Sequence, residues 1–112
     1  MAEPPVLRIL ATRGKQELLT DLTPADIPRL LAEDGVNVWI DAWGDDVADA
    51  ERLAREVFHY HPLMIEDCFA EREHPKIDGF EDHLFLITHG LGAESTLDSI
   101  EIVELDVFLG KN

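Results

Sequence analysis

The chain has 112 residues, the length of one domain, and 46% of them are apolar, which is enough to bury a core and excludes a disordered chain. Its 24 acidic residues against 9 basic ones give a net charge of −15, which argues against nucleic acid or an anionic membrane as a partner, because both require clustered Lys and Arg. The single cysteine, Cys68, excludes a disulfide framework within one chain and favours a reducing setting.

The chain begins with short strand patterns and one capped helix. Alternating apolar residues predict strands over Val6–Ala11 and Gln16–Leu19, separated by a turn. Thr23 is a suitable N-cap and Pro24 suits the first helical position, so a helix is predicted to start here. Gly35 predicts the end of this helix.

A further strand and the clearest helix follow. Val36–Asp41 places three aliphatic residues on one face and Trp39 on the other, which predicts a central strand with both faces covered. Asp45–Phe58 has apolar residues at helical spacing, and Glu51 precedes Arg55 by four residues, a favourable pair on a helix.

The second half is predicted as one short helix and three strands. The helix runs from Pro62 to about Ala70, and the strands are Lys76–Phe80, Leu84–His89 and Ile100–Leu109. In the last strand the alternation slips between Ile102 and Val103, which indicates a bulge. This order predicts an α/β (α+β) domain, a mixed β-sheet with helices packed on it, spanning residues 1–112. Because the chain stops just after a strand, we expect it to be part of a larger domain.

The short helix separates two kinds of side chain. At about 100° per residue, Met64, Ile65, Cys68 and Phe69 gather on the side expected to face the core. The opposite side collects Leu63, Glu66, Asp67 and Ala70. Two carboxylates on one helix can offer oxygen ligands to a facing surface, and hard divalent cations such as Mg²⁺ prefer oxygen. Adjacent acids on an exposed helix are, however, most often solvated charge.

Four motifs occur here in a fixed order. They are His61-Pro62-Leu63, Glu66-Asp67, Pro75-Lys76-Ile77 and a Glu81-Asp82 pair that leads into an apolar strand. Their order and spacing resemble the cytoplasmic amino-terminal domain of the CorA family of divalent-metal transporters. The resemblance is strongest over residues 36–112. One departure is that residues 70–73 are more acidic than in the family pattern, which leaves the subgroup and the metal open.

The resemblance implies a regulatory role without catalysis. By motif position, Glu66 and Asp67 would help to hold a regulatory Mg²⁺ ion (or Co²⁺ or another divalent cation), weakly in this fragment, with acids of a neighbouring subunit's stalk helix completing the site. The partners implied are identical subunits, five in the full-length protein, which would form a funnel at the cytoplasmic face of the inner membrane and gate a pore when Mg²⁺ is scarce. No apolar run approaches the roughly 20 residues that cross a bilayer, so contact with the membrane would be made only by carboxy-terminal helices absent from this chain.

Two other interpretations are open. A stand-alone acidic module could dock a protein on the face formed by Leu63, Glu66, Asp67 and Ala70. A metal-dependent hydrolase could be built from His59, His61 and Asp67, but the histidines lack a further ligand at a fixed spacing, which favours structural roles for them.

Overall fold

The computed structural model describes residues 7–44, 47–70 and 74–112. Their contacts divide the chain into two units, one that extends to His59 and includes Asn112, and one that spans Tyr60–Lys111. We call them unit 1 and unit 2. Each has its own three-stranded antiparallel sheet, where the sequence predicted a mixed sheet. The elements of unit 1 are β1 (Leu7–Arg13), β2 (Glu17–Leu19), α1 (Ile27–Ala32), β3 (Val36–Ala42) and α2 (Ala48–Arg52). Those of unit 2 are α3 (Pro62–Phe69), β4 (Lys76–Phe80), β5 (His83–Leu91) and β6 (Ile102–Leu109).

The sheet of unit 1 has the order β2-β1-β3. A turn at Gly14, whose φ of +62° suits glycine, joins β1 to β2. The prediction that β3 is a central strand is wrong for the described strands, where β3 pairs only with β1 and Trp39 is 65% exposed. Trp39 is stable at the surface because its indole N–H donates to Asp41 Oδ1 at 2.8 Å. On the outer side of β3, the Val38 amide donates to the carbonyl of Asn112 at 2.8 Å.

The first helix of unit 1 begins as the sequence predicted. A 3-10 turn over Pro24–Asp26 leads into α1, and the Thr23 amide donates to Asp26 Oδ2 at 2.8 Å. Ile27 and Leu30 of α1 are fully buried. They lie in two clusters that share the inner face of the sheet: Ile9, Ile27 and Leu53 in one, and Ala11, Leu30 and Val36 in the other.

The predicted helix Asp45–Phe58 is observed as α2 followed by a π-helical turn over Leu53–Val57. Its start at Asp45 and Asp46 lies outside the described residues. In the π-helical turn the Phe58 amide bonds to the Leu53 carbonyl at 2.9 Å, a spacing of five residues. The predicted Glu51–Arg55 pair is confirmed at 3.0 Å.

The sheet of unit 2 has the order β4-β5-β6. β4 has the predicted bounds, and a turn at Glu81, with φ of +45°, joins it to β5. The predicted bulge in β6 is wrong, because its pairing with β5 is unbroken from Leu109 to Ile102. Ile102 and Val103 point to opposite faces of the sheet and are both exposed, so the slip in the pattern reflects exposed apolar residues on both faces and not an irregular backbone.

Helix α3 packs on one face of this sheet. Met64 lies against Phe85 and Ile87, with Cys68 and Phe108 at the margin of the cluster. The Phe85 and Phe108 rings stack with their centroids 4.7 Å apart. The opposite face presents apolar side chains to solvent, among them Ile77, Leu84, Leu105 and Leu109.

The combination of helices with antiparallel sheets confirms the predicted α+β class. Among the residues described, no helix has both the length and the apolar character needed to cross a membrane.

Candidate functional site

At the start of helix α3, the rings of two histidines accept hydrogen bonds from backbone amides. His61 precedes Pro62, and its Nδ1 accepts a hydrogen bond from the Leu63 amide at 3.1 Å, which satisfies one of the unpaired N–H groups at the start of the helix. The His61 amide in turn donates to Nε2 of the buried His83 at 3.2 Å. The predicted structural role of His61 is therefore confirmed, and His83 has a structural role beside it.

The ring of His83 is held further by its neighbours. Its Nδ1 lies 2.9 Å from Asp82 Oδ1, and this hydrogen bond lowers the pKa of the Asp82 carboxyl. The Tyr60 ring lies 4.9 Å from the His83 ring, and burial, aided by the charge of Asp82, raises the pKa of Tyr60 to about 12. This packing fixes the chain where α3 begins.

The two faces of α3 agree with the sequence prediction. Met64 and Ile65 are buried, whereas Leu63 is 65% exposed and Glu66 is also exposed. Asp67 lies at the boundary between the faces, with 32% of its side chain accessible. Glu66 is therefore open to solvent, while Asp67 leans towards the sheet.

Asp67 binds a lysine of the neighbouring strand. Lys76 Nζ lies 2.5 Å from Asp67 Oδ2 and 3.1 Å from Asp78 Oδ2. Lys76 and Asp78 are two residues apart in β4, so their side chains share the sheet face on which α3 packs. The hydrogen bond with Asp67, followed by that with Asp78, raises the pKa of Lys76. The ammonium thus bridges two carboxylates at the place where the sequence predicted a metal ligand.

An open hollow of about 260 Å³ lies beside this ion pair. Its walls come from α3 and β4, and its lining residues are His61, Leu63, Met64, Asp67, Asp78, Gly79 and Phe80. Asp67 and Asp78 contribute carboxylates to the lining, and Phe80 contributes an aromatic ring. The Phe80 and His61 rings meet edge to face, with their centroids 4.5 Å apart.

The donor set fits an oxygen-preferring cation but is small. Glu66, Asp67 and Asp78 are carboxylates, the ligands that Mg²⁺ and Ca²⁺ accept. Across residues 7–44, 47–70 and 74–112, however, no three His, Cys, Asp or Glu side chains are placed to hold one metal ion. A cation at α3 would therefore need water or a second molecule to complete its coordination.

Sequence reasoning overlooked the partners of Asp67. In the sequence Lys76 stands out only as part of a motif, and Asp78 belongs to no motif. The alternation of Lys76 and Asp78 along a predicted strand was a signal that they share a face, but the contact with α3 depends on tertiary packing.

Comparison with known proteins identifies the family to which the chain is similar. Residues 34–112 match the family model described as CorA-like Mg²⁺ transporter protein. The chain is 32% identical over 106 residues to a Bacillus subtilis (strain 168) protein named as a metal ion transporter, YfjQ. The aligned residues are 95% of this chain and 31% of that protein. It is 28% identical over 74 residues to the cobalt/magnesium transport protein CorA of Thermotoga maritima, covering 66% of this chain and 21% of that protein. The chain therefore spans less than a third of the length of these curated relatives.

Proposed function

The chain belongs to the family of CorA-like Mg²⁺ transporter proteins, and from this premise we propose that it is a cytoplasmic regulatory part of a divalent-cation channel. Its task is to sense Mg²⁺ or Co²⁺ and to bias the opening of a pore, without catalysing a reaction. The observation that carries the proposal is the position of Glu66 and Asp67, two adjacent carboxylates on α3, of which Glu66 is exposed and Asp67 is partly accessible at the edge of the sheet.

The proposed site lies between identical subunits. Mg²⁺ keeps several waters and is commonly held by one or two protein carboxylates, so α3 would supply one half of the shell and a neighbouring subunit the other. Glu66 is exposed and Asp67 is partly accessible, as such a shared site requires. In the full-length protein the neighbours would be the other members of a homopentamer.

Lys76 sets the affinity of this site. With its ammonium on Asp67 and Asp78, the chain supplies an internal cation to the carboxylates that a metal ion would use. A divalent ion has to displace Lys76 from Asp67 or share the carboxylate with it. Binding in the isolated chain is therefore weak, and occupancy follows the concentration of free Mg²⁺.

The coupling to gating follows from linkage. An ion changes an equilibrium between open and closed arrangements only through its differential affinity for them. With a net charge of −15 per chain, adjacent subunits repel each other unless cations lie between them. Plentiful Mg²⁺ therefore favours the closed arrangement, and its loss releases the subunits.

The test is Asp67→Ala in a full-length transporter that contains this chain. We expect Mg²⁺ to inhibit flux at a concentration about tenfold higher than in the native protein, which corresponds to a coupling of about 1.4 kcal/mol and is typical of allosteric ligands. Flux is measured in vesicles loaded with graded Mg²⁺. Asp98→Asn, which removes one charge from an exposed loop of the same unit, is the matched control. Equal Mg²⁺ inhibition in the native protein and in Asp67→Ala would exclude the assignment.

A second candidate function is the docking of a protein on the same face. It is favoured by Leu63, which is 65% exposed beside the hollow. A docked protein would bind in the presence of a chelator and would be lost in Leu63→Ser, whereas regulation by metal ions requires the ions and tolerates that substitution.

A further inference from the structure

A cluster of titratable side chains lies on the inner face of the unit 2 sheet, on strands β5 and β6. Glu104 and Asp106 are two residues apart on β6 and therefore point to the same face. Across the sheet, Glu104 is opposite His89 and Asp106 is opposite the buried Ile87. This is the face that α3 covers with Met64 and Cys68.

Asp106 is in apolar surroundings that do not suit a charged carboxylate. It lies between Ile87, across the sheet, and Phe108, two residues along β6, and both belong to the apolar cluster beneath α3. Its Oδ1 is closed off from solvent and, within the part of the chain that the structure describes, accepts no hydrogen bond. An ionised carboxylate would leave this oxygen charged and unsolvated, which is costly.

Glu104 is the neighbouring carboxyl on this face, two residues before Asp106 on β6. Two carboxylates have only acceptor atoms, so they can bond to each other only when one of them carries a proton. We propose that Glu104 and Asp106 share a single proton at neutral pH, and that its loss loosens β6 from α3, so that the pair is a pH-sensitive lock within unit 2. One O–H group of the pair donates to the carboxylate of the other, and deprotonation releases the proton to water and leaves two adjacent negative charges.

The surrounding charges agree with a proton held near neutrality. Burial, followed by the hydrogen bond and the charge of Glu104, raises the pKa of Asp106 to about 7. Cys68 of α3 hydrogen-bonds to Asp106 and acts in the opposite direction, as does His89 of β5, whose Nε2 lies 3.5 Å from Glu104 Oε1. From β4, Lys76 points to the same face beyond Ile87, but it is bound to other carboxylates.

The direction of the pH effect follows from this raised pKa. In an unfolded chain an aspartic acid titrates near pH 4, so below about pH 4 both states are protonated and the lock contributes its full stability. Between about pH 4 and 7 the folded chain keeps a proton that the unfolded chain loses, so stability falls as pH rises. Above about pH 7 the contribution is lost.

The first experiment is a carboxyl-detected NMR titration of the whole native chain. We expect one carboxyl carbon of the pair to titrate near pH 7, with the midpoint belonging to the pair and not to either residue alone. In Asp106→Asn, this transition near pH 7 should be absent. If both carboxyls of the native chain titrate below pH 5, the proposal is overturned.

The second experiment is thermal unfolding, followed through NMR signals of unit 2. The native midpoint should fall by at least about 5 °C between pH 5 and pH 8, and Asp106→Asn should show a markedly smaller fall. Asp98→Asn should show the native fall, since it removes an exposed charge. If Asp106→Asn does not fold, Glu104→Gln replaces it, because the amide donates to Asp106 at every pH. A native fall in Glu104→Gln would overturn the lock. Neither experiment depends on the transport role.

Discussion

Among the residues that the structure describes, each unit has a cation that bridges two carboxylates, and the two bridges differ in kind. In unit 1, Arg13 at the end of β1 binds Glu33 through two nitrogens, at 2.6 and 3.1 Å, and Glu17 through a third at 3.0 Å. In unit 2, Lys76 binds Asp67 and Asp78 through a single ammonium. A guanidinium fixes the geometry of its partners with a planar set of donors, whereas an ammonium is a compact point charge that resembles a metal ion in its demands. The arginine bridge therefore suits a permanent tie, and the lysine bridge suits an exchangeable cation.

The cores of the two units also differ: that of unit 1 is apolar, whereas that of unit 2 includes polar groups. The buried residues of unit 1 form two apolar clusters, and its ion pairs lie at the surface. Unit 2 buries the imidazole of His83 and closes off an oxygen of Asp106 beside its apolar cluster. Buried polar groups of this kind respond to protons and ions, so unit 2 is where regulation by the environment is expected.

The largest effect is expected from truncating the core of unit 2. Phe85 is fully buried and stacks on Phe108, so Phe85→Ala should reduce the free energy of unfolding by about 3–5 kcal/mol. Denaturant unfolding measures this, with hydrogen exchange of β5 and β6 amides reporting on unit 2. Leu97→Ala, at a fully exposed position, should stay within about 0.5 kcal/mol of the native value. A loss below about 1 kcal/mol for Phe85→Ala would mean that the cluster under α3 does not hold unit 2 together.

A smaller change in stability is expected from replacing one glycine in each unit, Gly35 in unit 1 and Gly90 in unit 2. Gly35 in unit 1 has φ of +79° and its carbonyl accepts a hydrogen bond from the Gly14 amide at 3.0 Å. Gly35→Ala should cost about 1–2 kcal/mol, because a side chain is strained in the left-handed region although the space around it is open. Gly90→Ala in β5 also meets open space, without that strain, and should be neutral or stabilise by roughly 0.5 kcal/mol. Equal losses in the two variants would show that backbone strain at Gly35 is not the cause.

Much of the fold could be predicted from local patterns. The bounds of β4 and the two faces of α3 follow from periods of two and 3.6 residues, which depend only on neighbouring residues. The position of β3 and the division into two sheets depend on pairing between distant strands, for which the sequence carries no local signal. Apolar residues on both sides of the strand predict that β3 is covered on both faces, whereas Trp39 is exposed and its indole N–H donates to Asp41.

For the candidate site too, the sequence predicts the face of a helix but not the contacts between elements. Helical periodicity places Glu66 and Asp67 on the outward side of α3; the structure exposes Glu66, whereas Asp67 lies at the boundary and leans towards the sheet. That Asp67 binds Lys76, and that Cys68 bonds to Asp106, depends on how α3 packs on the sheet. These contacts join residues of different elements, and the sequence pattern alone does not specify them.

The smallest effect sharpens the comparison between the two bridges. Lys76→Gln leaves Asp67 and Asp78 without their ammonium, so Mg²⁺ should bind about two- to fivefold more tightly near α3, the range expected when a partly exposed ion pair no longer competes. The measurement is a Mg²⁺ titration of the native chain and the variant, followed by NMR shifts of α3 and β4 amides.

Arg13→Gln is the matched control, because it removes the same charge and also releases two carboxylates, Glu17 and Glu33. If affinity near α3 rises in Lys76→Gln and not in Arg13→Gln, the lysine acts as a local stand-in for the metal ion. An equal rise in both variants would mean that Mg²⁺ responds only to the net charge of the chain, and the distinction between a permanent tie and an exchangeable cation would fail. An unchanged affinity in Lys76→Gln would show that Asp67 and Asp78 do not hold the ion, since releasing them from their competitor must help any site they form.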